Sequence, residues 1–303
     1  MKRRVLAILT AVLVPVLLGL GLASAVSLRG LDAVIGEALF EIHRVDEASF
    51  PPPPDRPFFV LVVGTDARPG EPVGRGDALH LIGVNADARK ASILNIPRDS
   101  WVSVPGRGTD KINAAHLMGG PRLQARAVAN LVGVEIPFVV TTGFEGFTGM
   151  VDELGGVDVD VPFSMADANS GAFFEAGLNH LDGSGALAFS RNRGIPGGDL
   201  RRTEHQGLLI IAGLAKLRAE EPDVVKTLQW LAVLLRYGRV DGAGLGDLYR
   251  LGRLALSIDA EDVHAVTVPG TLGRAANQSV VFLDPAADAL FADFRDDAIL
   301  QSH

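Results

Sequence analysis

Apolar and polar positions fall into blocks that predict three neighbouring strands early in the chain. The apolar run at residues 58–63 stops at Gly64, and two further apolar runs follow at residues 78–84 and 91–96. Continuous apolar runs of this length are typical of strands that are buried on both faces of a sheet. Charged loops follow the first and the third run, so we expect polar chemistry at the carboxyl ends of these strands.

Strand and helix patterns intersperse through the rest of the chain. An edge strand is predicted at residues 101–106, and a helix begins at Pro121 and stops at Gly133. Further strands are predicted at residues 138–142, 157–161, 186–193 and 263–268, and further helices at residues 144–154, 200–219, 224–237 and 245–257. Such interspersion predicts an α/β sandwich with a mixed central sheet.

The N-terminal segment has the pattern of a membrane anchor. Basic residues 2–4 precede an uncharged run at residues 5–26, close to the ~20 residues that cross a bilayer as a helix. These basic residues predict a cytoplasmic tail at residues 1–4, a transmembrane helix at residues 5–26 and an extracytoplasmic body. A cleaved signal peptide is the alternative, since Ala23-Ser24-Ala25 fits a cleavage site, but the apolar core of a signal peptide usually has only ~7–15 residues. We therefore favour an uncleaved, single-pass anchor in the cell membrane.

A stalk and a linker are predicted between the anchor and the body. Residues 27–57 begin with an amphipathic pattern and end in a stiff polyproline spacer at residues 51–54. The folded domain is then predicted at residues 58–297, with a frayed tail at residues 298–303.

Composition narrows the classes of function. A net charge of -8 and a pI near 5.4 argue against sequence-independent binding of nucleic acid, which requires a basic face. The chain has no cysteine, which excludes disulfides, thiolate nucleophiles and cysteine-ligated zinc. The sequence also lacks a Walker loop and a Gly-x-Ser-x-Gly elbow, so nucleotide hydrolysis and serine esterase chemistry have no support.

Four arginines and two aspartates lie near the predicted ends of strands and helices. The arginines are Arg98, Arg191, Arg193 and Arg202. If they converge, their planar donors would surround a polyanion, and phosphate matches the guanidinium fork best. Asp66 and Asp77 would then offer oxygen ligands to Mg²⁺ or Mn²⁺, a combination that fits phosphoryl transfer. Taken singly, each of these residues is more often a surface charge or a structural ion pair.

An ordered set of short motifs resembles the LytR-CpsA-Psr family of cell-envelope proteins. The motifs are Gly64-Thr65-Asp66-Ala67-Arg68, Arg75-Gly76-Asp77, Asn95-Ile96-Pro97-Arg98-Asp99, Lys111-Ile112-Asn113-Ala114-Ala115, Arg191-Asn192-Arg193 and Asp199-Leu200-Arg201-Arg202-Thr203-Glu204-His205-Gln206. The resemblance extends over residues 58–297 and implies an α/β/α sandwich. It also implies Mg²⁺-dependent transfer of a glycopolymer from a polyprenyl-pyrophosphate carrier to peptidoglycan, through a phosphodiester.

The resemblance also implies roles for individual residues. Asp66 and Asp77 would bind the metal, and Asp199 is a candidate base for the acceptor hydroxyl. The head group would be bound by Arg98, Arg191, Arg193, Arg202 and Gln206, and Asp66, Asp77, Arg98 and Asp199 would form the catalytic set. Arg75, Lys111 and His205 are further candidates.

Two departures from the family pattern bear on these roles. Gly76 stands where the family commonly has serine, and His205 replaces the second arginine of the last motif. A histidine at this position predicts head-group affinity that depends on pH near neutrality. The other histidines, His80 and His116 among them, have no metal-ligand spacing, so no chemical role is expected for them.

Other functions remain open from the sequence. A non-catalytic envelope protein that binds polyprenyl pyrophosphates as a sensor or regulator would use the same arginines. A lipid pyrophosphatase would cleave the carrier without attaching anything to peptidoglycan. The apolar helices at residues 144–154 and 208–217 would line a prenyl tunnel in this family, although ordinary core packing explains the same residues.

Overall fold

The computed structural model describes residues 40–45, 56–66, 74–194, 198–219, 227 and 238–301. The strands within these ranges are β1 (Phe40–Arg44), β2 (Phe58–Thr65), β3 (Gly76–Asn85), β4 (Lys90–Asn95), β5 (Trp101–Val104), β6 (Gly108–Lys111), β7 (Phe138–Thr142), β8 (Val157–Val161), β9 (Met165–Asp167), β10 (Ala172–Phe174), β11 (Gly177–Leu181), β12 (Gly238–Asp241), β13 (Val263–Thr267), β14 (Gly270–Ala275) and β15 (Gln278–Leu283). The helices are α1 (Ala114–Val132), α2 (Phe144–Glu153), α3 (Gly183–Arg191), α4 (Gly198–Ala219), α5 (Leu245–Ala255) and α6 (Ala286–Asp297).

A seven-stranded sheet organises these elements in the order β12-β1-β7-β2-β3-β4-β13. Strand pairs β1/β12, β2/β7 and β4/β13 are parallel, whereas β1/β7, β2/β3 and β3/β4 are antiparallel. The remaining strands of the described ranges form four two-stranded sheets outside this sheet, β5/β6, β8/β11, β9/β10 and β14/β15. The mixed central sheet predicted from the sequence is therefore confirmed.

Side chains that alternate along the strands bury both faces of the sheet. On β2, Leu61 and Val63 pack into the cluster that contains residues of α1 and α6. Phe58 lies on the opposite face, in a cluster with Leu248 of α5. Helix α4 covers this same second face further along, where Ile210 packs near Ile93 of β4. Each such side chain stabilises the fold by ~1.5–3 kcal/mol through burial, so helices are required on both faces.

Helix α1 begins earlier than the helix that the sequence predicts in this region. The sequence predicts a helix from Pro121 to Gly133, and Gly133 does end α1 with a left-handed φ of 82°. The helical segment already begins at Ala114, and a kink at Gly119 and Gly120 divides it. Because two glycines and a proline interrupt the helical pattern at the kink, the first turns give only a weak signal.

The folded domain begins earlier than the sequence predicts. Residues 40–44 fall within the predicted stalk, yet they form β1, which pairs with both β7 and β12. Phe40 and Ile42 are buried in the core. A five-residue strand is too short to be distinguished from the surrounding amphipathic pattern, so the predicted domain start at Phe58 is wrong. The polyproline spacer lies outside the described residues.

The segment predicted as a strand at residues 186–193 is helix α3 instead. Asp182 caps the helix, since its side chain accepts a hydrogen bond from the Gly185 backbone N–H at 2.7 Å. Arg191 is the last residue of α3 and Arg193 follows in a loop. The two side chains therefore do not share the face of a strand.

The C-terminal residues are also more ordered than predicted. Ala298 and Leu300 are buried, and the Leu300 backbone N–H donates to Ser92 Oγ at 3.1 Å. The predicted frayed tail at residues 298–303 is wrong as far as Gln301, because this segment completes the core beside β4.

Several predictions concern residues that the structure does not describe. The predicted tail at residues 1–4, the anchor at residues 5–26 and most of the helix at residues 224–237 lie outside the described ranges. Within those ranges, every helix is too short or too polar to cross a bilayer.

Candidate functional site

The candidate residues meet at one edge of the central sheet. The C-terminal end of β2 lies beside the start of β3, since Thr65 pairs with Gly76. The end of β7 lies on the other side of β2, since Gly64 pairs with Thr142. Asp66 follows β2, Asp77 is the second residue of β3, and Arg98 follows β4. The topology thus brings the predicted loops together, as expected for strands whose carboxyl ends carry the chemistry.

Arg98 and Asp77 form an ion pair at the centre of this edge. The Arg98 guanidinium donates to Asp77 Oδ1, and Arg98 Nε lies 3.8 Å from Asp199 Oδ2. The three side chains are each 18% exposed. Burial alone would lower the pKa of Arg98, but the charges of Asp77 and Asp199 outweigh it and raise this pKa above its ordinary value. Arg98 is therefore a fixed cation.

Asp199 of α4 lies among three guanidinium groups. Besides Arg98, its carboxylate is 3.0 Å from Arg202 Nη2 and 3.5 Å from Arg193 Nε. Arg202 is almost completely buried and also donates to the backbone oxygen of Asp77 at 3.3 Å. We call Arg98, Arg193 and Arg202 the arginine cluster; with Asp77 and Asp199 it holds three cations against two anions.

Burial shifts the pKa of Arg202 downward, unlike the pKa of Arg98, which its neighbouring carboxylates raise. It lowers the pKa of Arg202 to about 10, with Arg98 and Arg193 adding to the shift and Asp199 opposing it. Arg202 thus remains charged at neutral pH. A buried cation that lacks a full counter-charge gains strongly from an incoming anion, so the cluster is suited to binding phosphate groups.

Arg191 takes a different position from the rest of the predicted head-group residues. Its guanidinium carbon lies 5.1 Å from the centre of the Phe144 ring, in cation–π contact. Phe144 is the first residue of α2, which follows β7 at the same sheet edge. Arg191 therefore stands at the α2 side of the site rather than in contact with Asp199.

Asp66 closes the loop between β2 and β3. Its Oδ1 accepts a hydrogen bond from the Arg75 backbone N–H at 2.6 Å, and its own N–H donates to the Arg75 oxygen at 3.2 Å. These backbone contacts hold Asp66 and Asp77 on the two sides of the loop; residues 67–73 within it are not described. Lys111, another of the candidate residues, forms an ion pair with Asp99, with 3.1 Å between Lys111 Nζ and Asp99 Oδ1.

Asp66 and Asp77 are the residues of this edge that could hold a magnesium ion. No cluster of three acidic or histidine side chains that could hold a metal occurs in the described part of the chain. Mg²⁺ usually binds only one or two carboxylates together with water and substrate phosphates. Asp66 and Asp77 supply such a pair, and the arginine cluster lies next to Asp77.

His205 does not serve as the predicted pH-sensitive ligand. It is buried between aromatic rings, stacked on Phe189 with 4.5 Å between ring centres. Burial lowers its pKa to about 4, so the ring is neutral at physiological pH. The predicted dependence of affinity on pH near neutrality through this residue is therefore wrong. Residues three apart on a helix are neighbours, so the sequence spacing of residues 202 and 205 did not indicate that this ring is buried among aromatic side chains.

Gln206 lies on the same face of α4 as Arg202, as the spacing predicts. Its Nε2 donates to the backbone oxygen of Ser190 in α3 at 3.1 Å. Gln206 also neighbours His80 of β3, a residue for which the sequence indicated no role.

Comparison with known proteins decides the family. The model described as the LytR_cpsA_psr family matches residues 37–292. The chain belongs to this family. The match includes β1, in agreement with the early start of the folded domain, and it confirms the resemblance inferred from the motifs.

Curated relatives of this LytR-CpsA-Psr chain have names that refer to peptidoglycan or to cell wall biosynthesis. The polyisoprenyl-teichoic acid–peptidoglycan teichoic acid transferase TagU of Halalkalibacterium halodurans is 37% identical over 159 residues, 52% of each chain. The probable cell wall biosynthesis protein LcpB of Corynebacterium glutamicum is 29% identical over 251 residues, 78% of this chain and 60% of LcpB. The chain thus spans about half the length of the TagU relative.

Solved structures of the family share the fold. B. subtilis TagV superposes with a TM-score of 0.68 at 23% identity, over 82% of this chain and 99% of TagV. The family protein YwtF (TagT) with bound octaprenyl pyrophosphate lipid gives a TM-score of 0.63 at 22% identity, over 85% and 96% of the two chains. At this identity the likeness establishes the mixed α/β fold of the LytR-CpsA-Psr chain.

Proposed function

We propose that the protein is a Mg²⁺-dependent phosphotransferase that moves a glycopolymer from a polyprenyl-pyrophosphate carrier onto peptidoglycan. The observation that carries this proposal is the arginine cluster around Asp77 and Asp199, three guanidinium groups with two carboxylates at one sheet edge. The name of the TagU relative, a polyisoprenyl-teichoic acid–peptidoglycan transferase, supports the reaction. The octaprenyl pyrophosphate bound to TagT supports the class of carrier.

The site residues would divide the work between binding and proton transfer. Arg98, Arg193 and Arg202, with Arg191 and Gln206, would bind the pyrophosphate and stabilise the charge that moves to the leaving phosphate. An acceptor hydroxyl attacks the phosphorus that bears the glycopolymer, the bond from this phosphorus to the lipid phosphate oxygen breaks, and polyprenyl phosphate leaves with the bonding electrons.

Asp199 would accept the proton of the attacking hydroxyl. In the free site its carboxylate is bound by arginines, and head-group oxygens would have to replace it there before it could act as a base. Asp66 and Asp77 would hold Mg²⁺, which supplies further positive charge near the phosphates.

The membrane topology is part of the same proposal. An anchor at residues 5–26 with a cytoplasmic N-terminus would place the domain on the outer side of the cell membrane. A polyprenyl carrier is held in the membrane by its tail, so an anchored domain would meet it there. When protease is added to intact spheroplasts, we expect the domain to be cleaved. A domain that is protected from the protease would contradict this topology.

Substitution of Arg202 tests the function. With the full chain in detergent, a polyprenyl-pyrophosphate-linked glycopolymer and peptidoglycan, we expect Arg202→Ala to lower transfer by about 10²–10³-fold, because a fixed buried donor to the leaving group is lost. The matched control is Arg218→Ala, which removes an arginine of the same helix that pairs with Asp259. Equal activities of the two variants would contradict the proposal.

The same assay separates the alternatives. A sensor or regulator would bind the carrier and release no lipid phosphate. A lipid pyrophosphatase would release lipid phosphate and leave peptidoglycan unlabelled. Removal of Mg²⁺ by a chelator should abolish transfer and its return should restore it; transfer that persists in the chelator would contradict the metal's role.

A further inference from the structure

His80 and Asn95 form a buried polar pair beneath the arginine cluster. They lie opposite each other on β3 and β4, with His80 Nδ1 and the Asn95 side-chain oxygen 2.7 Å apart. His80 is 2% exposed and Asn95 1%. Two desolvated polar side chains in a sheet of aliphatic residues are costly unless their hydrogen bonds are satisfied. The neighbours that could satisfy these hydrogen bonds lie in helix α4.

Helix α4 rests directly on the pair. A Cβ atom added to Gly207 would lie 2.7 Å from the Asn95 amide, so the helix backbone approaches Asn95 as closely as a glycine allows. Gln206, the preceding residue, neighbours His80. Burial lowers the pKa of His80 to about 4, against the opposing influence of Asn95 and Gln206. The imidazole is therefore neutral and carries one proton.

A single arrangement of protons satisfies the whole group. The oxygen and nitrogen of an asparagine amide have the same shape, so their assignment follows from the hydrogen-bond network. If the Asn95 amide N–H donates to His80 Nδ1, the imidazole proton lies on Nε2. The atoms His80 Nε2 and Gln206 Oε1 are both buried, and neither has a hydrogen-bond partner among the described residues, although Gln206 lies close enough to His80 to raise its pKa. A small shift of the two side chains would let Nε2–H donate to Gln206 Oε1, while Gln206 Nε2 already donates to the Ser190 oxygen.

This network connects the sheet to both helices that carry the head-group residues. Ser190 directly precedes Arg191 at the end of α3, and Gln206 lies one turn after Arg202 in α4. The series of donors from Asn95 through His80 and Gln206 to Ser190 thus spans β4, β3, α4 and α3. Its members therefore lie between the sheet and the two helices that carry Arg191 and Arg202.

We propose that His80 is a positioning residue of the head-group site, which orients Gln206 and, through it, holds α3 and α4 at the spacing that binds a pyrophosphate. The inference rests on the proposed function, because it supposes that Gln206 and the arginine cluster bind the head group. His80 itself touches no substrate atom.

Three substitutions of His80 test the inference in the full chain. Leucine removes both ring nitrogens, glutamine places an amide N–H near the Nε2 position, and asparagine reaches only the Nδ1 position. Binding of octaprenyl pyrophosphate is measured by titration in detergent. We expect His80→Leu and His80→Asn to weaken binding by about five- to tenfold, the effect of one lost hydrogen bond. His80→Gln should stay within about twofold of the wild type.

Melting temperatures and octaprenyl monophosphate serve as second readouts. The melting temperature alone does not decide, because an apolar residue in place of a buried polar one need not lower stability. A merely structural histidine would leave the preference for pyrophosphate over monophosphate unchanged, whichever way the melting temperature moves. The positioning role predicts that this preference falls in His80→Leu and is retained in His80→Gln. Should the leucine variant fail to fold, the contrast between glutamine and asparagine decides.

The outcomes distinguish this inference from the proposed function. If the wild type binds and Arg202→Ala does not, while all His80 variants bind like the wild type, His80 has no positioning role. Equal losses in His80→Gln and His80→Asn would also overturn it. If the wild type and Arg202→Ala fail to bind the lipid alike, the proposed function itself is wrong.

Discussion

At the scale of single residues, Asp199 occupies the place that the site would offer to a phosphate. Its carboxylate forms ion pairs with Arg202 and Arg193 and lies near Arg98. Without this anion, three guanidinium groups would repel one another in a partly buried site. Under the proposed function, the aspartate would keep the arginines in place until a head group binds, and its departure from them would make it available to the acceptor hydroxyl.

Two buried imidazoles make the stability of the free protein depend on pH. His80 and His205 each have a pKa lowered from 6.5 to about 4, in both cases mainly by burial. Below pH 6.5 the unfolded chain binds protons that the folded chain does not, so their contribution to stability is full above this pH and is lost as the pH falls toward 4. We expect a loss of up to about 3 kcal/mol per ring.

The variant His205→Phe isolates one of these contributions. A phenyl ring fits the contacts with Phe163 and Phe189 and cannot titrate. Denaturant unfolding of both proteins between pH 7.5 and 4 should give a smaller loss for the variant, since carboxylates contribute equally to the two curves. Parallel curves would show that His205 is protonated in the folded state as readily as in the unfolded chain.

At the scale of elements, the strands and helices that could be predicted are those with a clear hydrophobic periodicity and clear turn residues at their ends. β2, β3 and β4 follow from continuous apolar runs, and the motif spacing places Arg202 and Gln206 on one face of α4, as the structure has them. The strand predicted in place of α3 and the stalk predicted in place of β1 are short segments whose state depends on tertiary packing. The pairing of His80 with Asn95 depends on strand register, which no local pattern reveals.

Two glycines of α4 provide a matched test of its contact with the sheet. A Cβ at Gly207 would lie 2.7 Å from Asn95, whereas a Cβ at Gly213 would have nothing within 4 Å. We expect Gly207→Ala to destabilise the protein by about 1–3 kcal/mol and to weaken lipid binding, because the helix must move away from β4. Gly213→Ala should leave binding unchanged and stabilise the helix by up to ~1 kcal/mol. Calorimetric melting and lipid titration of both variants measure this; equal behaviour would show that α4 does not rest on Asn95.

At the scale of the whole molecule, distant parts of the sequence complete one sheet. β1, from the N-terminal side of the described chain, pairs with β12 near residue 240, and residues 298–301 return to β4. The site at the sheet edge likewise draws its side chains from β3, the loop after β4 and α4. Non-local assembly of this kind is why the arginine cluster could be expected from motifs and not from periodicity.

The C-terminal segment should therefore contribute to stability although it lies far from the site in sequence. Removal of residues 298–303 exposes the core that Ala298 and Leu300 cover, beside Phe294 and Phe59, and removes the hydrogen bond from Leu300 to Ser92. We expect a loss of about 2–4 kcal/mol in the free energy of unfolding, the cost of deleting a large buried side chain and one buried hydrogen bond. Removal of residues 302–303 alone is the matched control and should cost less than ~0.5 kcal/mol. Urea unfolding of the three proteins measures both values. Neither truncation touches the arginine cluster, so the binding of octaprenyl pyrophosphate to the folded fraction should stay the same. A truncation at 297 that unfolds like the full chain would show that this segment is not part of the core.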